Sequence, residues 1–290
     1  MEVMRIMRHL GNQISDRSIY FNILKYTPVL VWTWIVILPL LVVFFTSFKT
    51  DAEYTRTSVF QMPSNFLNFE NYKTTFIQGK FLHSFMNSFI LVASGTIGSV
   101  ILGTMTAYCL SRFDFLFKNI IKSIYVVSVM IPGVLLQVSI YPILKQFGFT
   151  GHLTAPILIY LGADIIQIWI YLQFIDKISI SLDESAMLDG ASYLRIFRSI
   201  IFPMLAPATA TVIILKSIGI YNDLFTQYLY NSSPKLYTVI NSLMTFAGDR
   251  VNQQNLMSAG IMMIMIPTIL MFLFMQRYIL SGITLGSSKE

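Results

Sequence analysis

Six apolar runs dominate the chain, and each is close to the length that a helix needs to cross a membrane. They lie at 28–48, 87–110, 120–143, 154–175, 204–220 and 258–280. A hydrocarbon core of roughly 30 Å requires about 20 residues of helix. Lipid offers no hydrogen-bond partner to exposed backbone groups, and the runs are far longer than barrel strands. The sequence therefore predicts an all-α membrane protein with six transmembrane helices.

The composition agrees with residence in a membrane. Hydrophobic residues make up 55% of the 290 residues and charged residues only 12%, whereas roughly a quarter of the residues in a soluble domain are charged. No cleavable signal peptide is evident, because residues 1–27 carry scattered charges and the run after them is too long for a signal core. We therefore expect the first run to stay in the membrane. Cys109 is the single cysteine, which excludes a disulfide within the chain.

Lysine and arginine residues indicate the orientation. With the N-terminus inside, twelve basic residues fall in inner segments and seven in outer segments, while Lys216 lies within a run. The short loops are the most informative, since the loop after the second run is basic and the loop after the third holds only Lys145. We expect both termini in the cytoplasm. The net charge of +6 then reflects topology. No basic stripe interleaved with aromatic residues indicates a nucleic-acid partner.

The runs divide the chain into segments of different character. The expected order is a cytoplasmic N-terminal tail at 1–27, a first transmembrane helix at 28–48, an extracellular segment at 49–86, a five-helix core at 87–280 with an outer loop at 221–257, and a cytoplasmic C-terminal tail at 281–290. The long segment at 49–86 makes the first helix look like an addition to the core. The loop at 221–257 is long enough to reach another protein.

A polar, helix-forming segment separates the fourth and fifth runs. Ser181 and Glu184 have the spacing of a capping box, which predicts a helix start at that point. Gly190 allows a turn before a second short helix, and Pro203 suits the opening of the next span. Ala186, Gly190, Tyr193 and Phe197 recur at helical spacing and predict one face that fits a protein cleft. The plainer interpretation is an amphipathic helix that lies on the lipid surface.

Two patterns within the runs predict how the helices pack. Gly95, Ser99, Gly103 and Ala107 follow one another at four-residue intervals, which lets a neighbouring helix approach closely. Pro132 with Gly133 predicts a kink in the third run.

Several polar residues inside or just after the apolar runs are candidates for lining a transport pathway. They are Tyr160, Asp164, Gln167, Lys216 and Asn222. Ionisable groups in a membrane are costly and usually face a cavity or a partner charge, so Lys216 is a candidate ion-pair partner of Asp164. Alternatively, the Lys216 stem lies along apolar surface and its amine reaches the outer interface.

Catalytic patterns are absent from the sequence. There is no Gly-x-x-x-x-Gly-Lys-Ser/Thr phosphate loop and no His-Glu-x-x-His, and the histidines His9, His83 and His152 are too scattered for a metal site. Gly162-Ala163-Asp164 faintly resembles an intramembrane aspartyl protease motif but lacks its second glycine and a partner aspartate. We therefore expect no enzyme activity, no cofactor and no bound metal.

The polar segment resembles the cytoplasmic motif of ABC importer permeases, which runs Glu-Ala-Ala, then Gly, then a hydrophobic residue and Pro. The matching residues are Glu184, Ser185, Ala186, Gly190, Ile200 and Pro203, with Asp189 beside the glycine. Ser185 stands where the motif has alanine. The resemblance implies that these residues couple the chain to an ATPase.

A wider resemblance covers roughly residues 80–290 and is to the smaller permease subunit of the maltose-type branch of carbohydrate importers. It is carried by Phe85-Met-Asn87-Ser88, Ala107-Tyr-Cys-Leu-Ser-Arg112-Phe113, Ile131-Pro132-Gly133, Tyr221-Asn222-Asp223 and the ending from Gln276 to Gly286, with Tyr221 where tryptophan is usual. It implies the type I ABC importer permease fold with a cytoplasmic coupling helix, in a bacterial cell membrane. It also implies a second permease subunit, two ATP-binding subunits and an extracellular solute-binding protein.

The sequence thus favours a permease subunit that couples ATP hydrolysis by its partners to alternating access for an oligosaccharide or other carbohydrate. The alternative is a secondary transporter driven by an ion gradient, with Asp164 or Lys216 as the coupling site. Such a carrier has no evident use for the cytoplasmic segment.

Overall fold

The computed structural model describes residues 2–231, 233–247 and 253–287, with side chains described over 25–231, 233–247 and 253–274. Within those residues the protein is helical and contains no strand. The α-helices are α1 (Glu2–Phe48), α2 (Asp51–Arg56), α3 (Glu70–Gln78), α4 (Phe81–Arg112), α5 (Lys118–Ser128), α6 (Gly133–Gln146), α7 (Thr154–Leu161), α8 (Ile165–Ile175), α9 (Ile180–Leu188), α10 (Tyr193–Ile196), α11 (Phe202–Met204), α12 (Ala206–Tyr221), α13 (Phe225–Tyr230), α14 (Val239–Ser242) and α15 (Gln254–Ser287). A π-helical turn, Phe197–Ile201, joins α10 to α11, and a 3-10 turn, Leu243–Phe246, follows α14.

In the part of the chain that the structure describes, three helical stretches are long and apolar enough to cross a membrane unbroken, and the count reaches six if each of three bent pairs is one span. The unbroken stretches are Lys25–Phe48, Phe81–Arg112 and Gln254–Phe274. The bent pairs are α5 with α6 at 110°, α7 with α8 at 40°, and the 193–204 stretch with α12 at 76°. These six correspond to the six apolar runs.

Two of the three bends lie where the sequence interrupts a helix. Pro132 precedes α6 and cannot donate the amide that would continue α5, so the predicted kink becomes a full break. Between α7 and α8 the chain leaves the helical conformation at Gly162, and Asp164 then caps α8 by accepting the Gln167 amide at 2.9 Å. The apolar run at 154–175 is therefore two short helices.

Helix α4 forms the centre of the larger of two compact units, which comprises 73–251 and 263–290. A Cβ added at Gly95 would stand 2.8 Å from Tyr160 Cβ, and one added at Gly103 would stand 2.7 Å from Gln167 Cδ. Ser99 and Ala107 are fully buried. The small-residue pattern therefore predicted a real packing face, which α4 presents to α7, α8 and α12.

The smaller unit comprises 1–72 and 252–262. Its helix α1 starts at Glu2, so the expected cytoplasmic tail at 1–27 continues into the first span without a break. Phe48 packs among Phe44, Phe66 and Tyr72. Asn71 donates to the carbonyls of Ser47 and Lys49, each at 2.8 Å, and these bonds tie the end of α1 to the start of α3.

The predicted outer loop is tied to the start of α4 by polar side chains. Asn87 Nδ2 donates to the carbonyls of Lys235 and Tyr237 at 3.1 and 3.0 Å, and Ser88 Oγ accepts the Val239 amide at 2.9 Å. Asn231, in the first part of this loop, is buried. Ser232 and residues 248–252 of the same loop lie outside the described residues.

The packing of α4 gives a stability prediction. Gly103→Ala should destabilise the protein, because the new methyl group collides with the Gln167 amide that is held by Ser99. Gly219→Ala meets nothing within 4 Å and provides the control, since both changes gain the same helix propensity. We expect Gly103→Ala to be less stable than Gly219→Ala by about 1–3 kcal/mol, measured by unfolding in detergent. Equal stability would contradict the packing argument.

Candidate functional site

The polar segment between the fourth and fifth apolar runs folds as two short helices joined by a tight turn. Helix α9 begins at Ile180 and its N-cap is Ser179, whose hydroxyl accepts the Ser181 amide at 3.3 Å. The expected capping box of Ser181 and Glu184 is therefore wrong. Ser179 occupies the cap two residues earlier, so Glu184 lies too far into the helix to reach the cap amide.

Gly190 makes the turn that the sequence predicted. Its φ is +79°, a conformation that side chains disfavour. The Gly190 amide donates to Met187 O at 3.0 Å, and the Ala191 amide donates to Ala186 O at 2.9 Å. This pair of bonds is a Schellman motif, which ends α9 by satisfying its last carbonyls. Ser192 then caps α10 by accepting the Arg195 amide at 3.4 Å.

The segment has one side that packs against the rest of the protein and one side that is exposed. Ala186, Phe197 and Ile200 pack against the buried core, whereas Tyr193 is exposed. The single face predicted from Ala186, Gly190, Tyr193 and Phe197 is therefore wrong. Helical spacing does not continue through a residue with positive φ, so the register changes at Gly190.

The exposed side of the segment is an apolar tip surrounded by charged residues. Leu188 is 90% exposed and Leu194 67% exposed, with Met187 and Tyr193 also accessible. The exposed polar residues around this tip are Glu184, Ser185, Asp189, Arg195 and Arg198. Exposed apolar side chains within a polar rim are typical of a surface that binds another protein.

Pro203 lies inside a continuous helical stretch and does not open the next span. It follows the π-helical turn Phe197–Ile201, and its missing amide and ring account for the widened turn. The sixteen-residue helix α12 begins three residues later, at Ala206, with Pro207 in its first turn. Pro203 is exposed.

Sequence reasoning missed a buried ion pair beneath the segment. Arg112 Nε at the end of α4 lies 2.9 Å from Asp183 Oδ2 in α9, with side chains 8% and 5% exposed. From the sequence, Arg112 contributed to the charge bias and to the family resemblance, but no partner was assigned to it. Opposite charges just after the second and fourth apolar runs were the available signal.

A cavity of about 390 Å³ lies among α7, α8 and α12. Its lining residues are Tyr160, Asp164, Ile166, Gln167, Ile170, Val212, Leu215, Lys216, Gly219, Ile220 and Asp223. Lys216 Nζ lies 2.8 Å from Asp164 Oδ2 and donates to Gly162 O at 3.2 Å. The suggested ion pair is therefore present. The Asp164 side chain is 52% exposed and that of Lys216 is 16% exposed.

The other predicted pathway residues have different surroundings. The Tyr160 hydroxyl donates to Asp223 Oδ2 at 3.1 Å and accepts from Gln227 Nε2 at 3.1 Å. Gln167 is buried and exchanges two hydrogen bonds with Ser99, at 2.7 and 2.8 Å. Asn222 is exposed at the end of α12 and does not line the cavity.

Asp223, which the sequence did not mark as a pathway residue, lines the cavity, whereas its neighbour Asn222 does not. Its carboxylate accepts from Tyr160 and from the Thr226 amide and hydroxyl. The cavity thus has a polar end held by hydrogen bonds and an ion pair at its side. Most of the remaining wall is aliphatic.

Related proteins with known roles resemble this chain along most of its length. The melibiose/raffinose/stachyose import permease protein MelC of Bacillus subtilis is 27% identical over 254 residues, covering 87% of this chain and 91% of the relative. The maltodextrin transport system permease protein MalD of Streptococcus pneumoniae is 25% identical, covering 97% of this chain and 100% of the relative. The diacetylchitobiose uptake system permease protein NgcG of Streptomyces coelicolor is 28% identical, covering 95% and 91%.

A solved structure has the same fold. A chain in the crystal structure of a bacterial ABC transporter involved in the import of the acidic polysaccharide alginate matches with a TM-score of 0.77 at 22% identity, covering 91% of this chain and 97% of that one. The family model of the binding-protein-dependent transport system inner membrane component matches residues 99–284. That range is more than half of the chain and includes α9, the Gly190 turn and the cavity. The chain therefore belongs to the family of binding-protein-dependent transport system inner membrane components.

Proposed function

We propose that this chain is a permease subunit of an ABC importer for oligosaccharides, and that the 181–203 segment couples it to an ATPase. The observation that carries the proposal is the exposed apolar tip at Leu188 and Leu194, held rigid by the Gly190 turn. A soluble motor can transmit force to membrane helices only through a rigid contact. The two capped helices provide one, whereas a flexible loop would absorb the motion.

The carbohydrate assignment is supported by the relatives. The three described above are named for melibiose, raffinose and stachyose, for maltodextrin, and for diacetylchitobiose. All are saccharides of two or more units. We infer the same substrate class for this chain.

The mechanism is alternating access. Closure of two ATP-binding subunits displaces the 181–203 segment, and the attached helices rotate so that the pathway opens to the inside. Both termini and the segment face the cytoplasm of a bacterial cell. A second permease subunit completes the pathway, and an extracellular solute-binding protein delivers the sugar to the outer loop at 221–257.

Asp164 and Lys216 are proposed to line the pathway. Their ion pair lies at the side of a cavity whose other walls are mostly aliphatic. A carboxylate and an ammonium group can accept from and donate to sugar hydroxyls, while aliphatic side chains pack against the sugar's carbon–hydrogen faces. Lys216 has three donors, and two of them are directed at Asp164 and Gly162.

Purification of the tagged chain from its own membrane tests the proposal. We expect an ATPase, a second permease and a solute-binding protein to co-purify. The complete complex in liposomes should take up at least one of melibiose, raffinose, maltotriose or diacetylchitobiose when ATP is supplied. Gradient-driven uptake by the purified chain alone would instead identify a secondary transporter and overturn the proposal.

The Gly190 turn gives a graded prediction. Gly190→Val should abolish uptake and release the ATPase, because a β-branched residue strongly disfavours the left-handed conformation. Gly190→Asn should retain most uptake, since asparagine tolerates that conformation and a Cβ meets nothing within 4 Å. The measurements are ATPase co-purification and ATP-driven uptake, with membrane level as the control. Equal uptake by both variants and the wild type would contradict the coupling role.

The ion pair in the cavity gives a second prediction. Lys216→Met should lower the uptake rate severalfold without loss of assembly, because Asp164 is half exposed and can remain charged in water. Leu215→Met keeps an uncharged, apolar side chain of similar size in the same cavity wall, so it is the control and should transport normally. Unchanged uptake by Lys216→Met would remove Lys216 from the pathway.

Tyr160 is expected to act mainly through structure. Tyr160→Phe leaves the buried Gln227 amide without its acceptor, and should lower the free energy of unfolding by about 1–3 kcal/mol. Tyr228→Phe, at an exposed position, should leave stability unchanged. Thermal unfolding of both variants in detergent distinguishes the two, and equal stability would contradict the hydrogen-bond assignment.

A further inference from the structure

We propose that the ion pair between Arg112 and Asp183 is the positioning link that makes the coupling segment and α4 move as one body. Neither residue touches the cavity or belongs to the exposed tip. The inference rests on the proposed coupling function and adds the path by which displacement of the segment reaches the membrane helices.

The ion pair is buried and close. Arg112 Nε lies 2.9 Å from Asp183 Oδ2 without the alignment of a hydrogen bond, so the attraction between them is electrostatic. Arg112 Nη2 also donates to the Ile178 carbonyl at 2.7 Å, just before α9 begins. Tyr108, one turn earlier in α4, directs its hydroxyl at Asp183 Oδ1 at 3.4 Å. Arg112 therefore contacts both α9 and the stretch of chain just before that helix.

Further contacts tie the chain before and after α9 to the same end of α4. Ser111 donates to Asp176 Oδ1 at 2.8 Å, at the end of α8. On the other side of the Gly190 turn, the rings of Phe113 and Tyr193 lie 4.9 Å apart and those of Tyr108 and Phe197 5.4 Å apart. Both short helices thus contact the C-terminal end of α4 or the residue just after it.

The ion pair fixes the position of α9 relative to α4, which the aromatic contacts alone do not. Apolar surfaces can slide past one another with little change in free energy, because burial is not directional. A buried ion pair fixes one register, since separating the charges would leave each unpaired in a poorly solvated site. Net stability is not the argument, because a hydrophobic replacement can be as stable.

Helix α4 connects this link to the transport pathway. The same helix packs against α7 at Gly95 and against α8 at Gly103, where Gln167 is held by Ser99. Gln167 also lines the cavity. Displacement of α9 carried rigidly into α4 therefore reaches the cavity wall through packed contacts.

Neutralising variants test the link. Arg112→Gln or Asp183→Asn alone leaves an unpaired buried charge and should reduce the amount of assembled transporter. The double variant removes both charges and should restore assembly and ATP hydrolysis. We expect its transport per ATP hydrolysed to fall by about tenfold or more, measured in liposomes with the sugar of the above panel that the wild-type complex carries. Normal transport per ATP by the double variant would overturn the proposal.

An exposed ion pair nearby provides the matched control. Lys118 Nζ lies 2.9 Å from Asp114 Oδ1 just beyond α4, and it lowers the pKa of that carboxyl. Because Asp114 is fully solvated, Asp114→Asn should leave assembly and transport per ATP unchanged. A loss equal to that of the double variant would show a general charge effect and overturn the specific link.

A measurement on the intact pair covers the case in which the variants fail to assemble. Spin labels at Ser181→Cys and Asp114→Cys, in a Cys109→Ser background, report the distance between α9 and the end of α4. That distance should stay constant when ATP binds, while the distance from Ser181 to a label at Lys145→Cys changes. Equal changes in both distances would overturn the proposal, and so would an immobile segment.

The outcomes separate the two proposals. If no ATPase co-purifies and no sugar of the panel is carried, the proposed function fails. If the wild-type complex transports and the double variant couples normally, only the link fails.

Discussion

The larger unit depends on the close packing of α4 against α7, α8 and α12. Gly95 and Gly103 remove side-chain volume where α4 meets Tyr160 and Gln167, and Gln167 then exchanges hydrogen bonds with Ser99. Helix association in lipid gains little from hydrophobic burial, so van der Waals packing and interhelical hydrogen bonds must provide it. This packing brings Asp164 on α8 and Lys216 on α12 to the same cavity.

The broken helices and the cavity have a common physical basis. Backbone that leaves the helix at membrane depth needs partners from protein or water. At the break between α7 and α8, Gly162 O accepts from Lys216 and Ser99, and the Gln167 amide is capped by Asp164. Two residues that line the cavity, Lys216 and Asp164, therefore also hydrogen-bond backbone groups left free at the break. A transport pathway in this position uses groups that the fold already requires.

The sequence predicted those features that follow from local chemistry. The length of the apolar runs predicted the six helical regions. Gly190 predicted the turn, because positive φ favours glycine. The small residues of α4 predicted its packing face. The predicted capping box and the single face through Gly190 were wrong, because Ser179 competes for the cap and the turn changes the helical register. The Lys216 partner was suggested correctly, but Asp223 and the Arg112–Asp183 pair were missed, since their contacts join distant parts of the chain.

By itself, the sequence determined an all-helical membrane chain with a polar segment between its fourth and fifth apolar runs and no phosphate-binding loop of its own. These properties depend on composition and on residues close together along the chain. Only the tertiary structure decided which charges are paired, which side of the segment is exposed and which polar residues share a cavity. Arg112 and Asp183 are 71 positions apart in number yet 2.9 Å apart in space, and such proximity follows from helix packing, which local sequence does not encode.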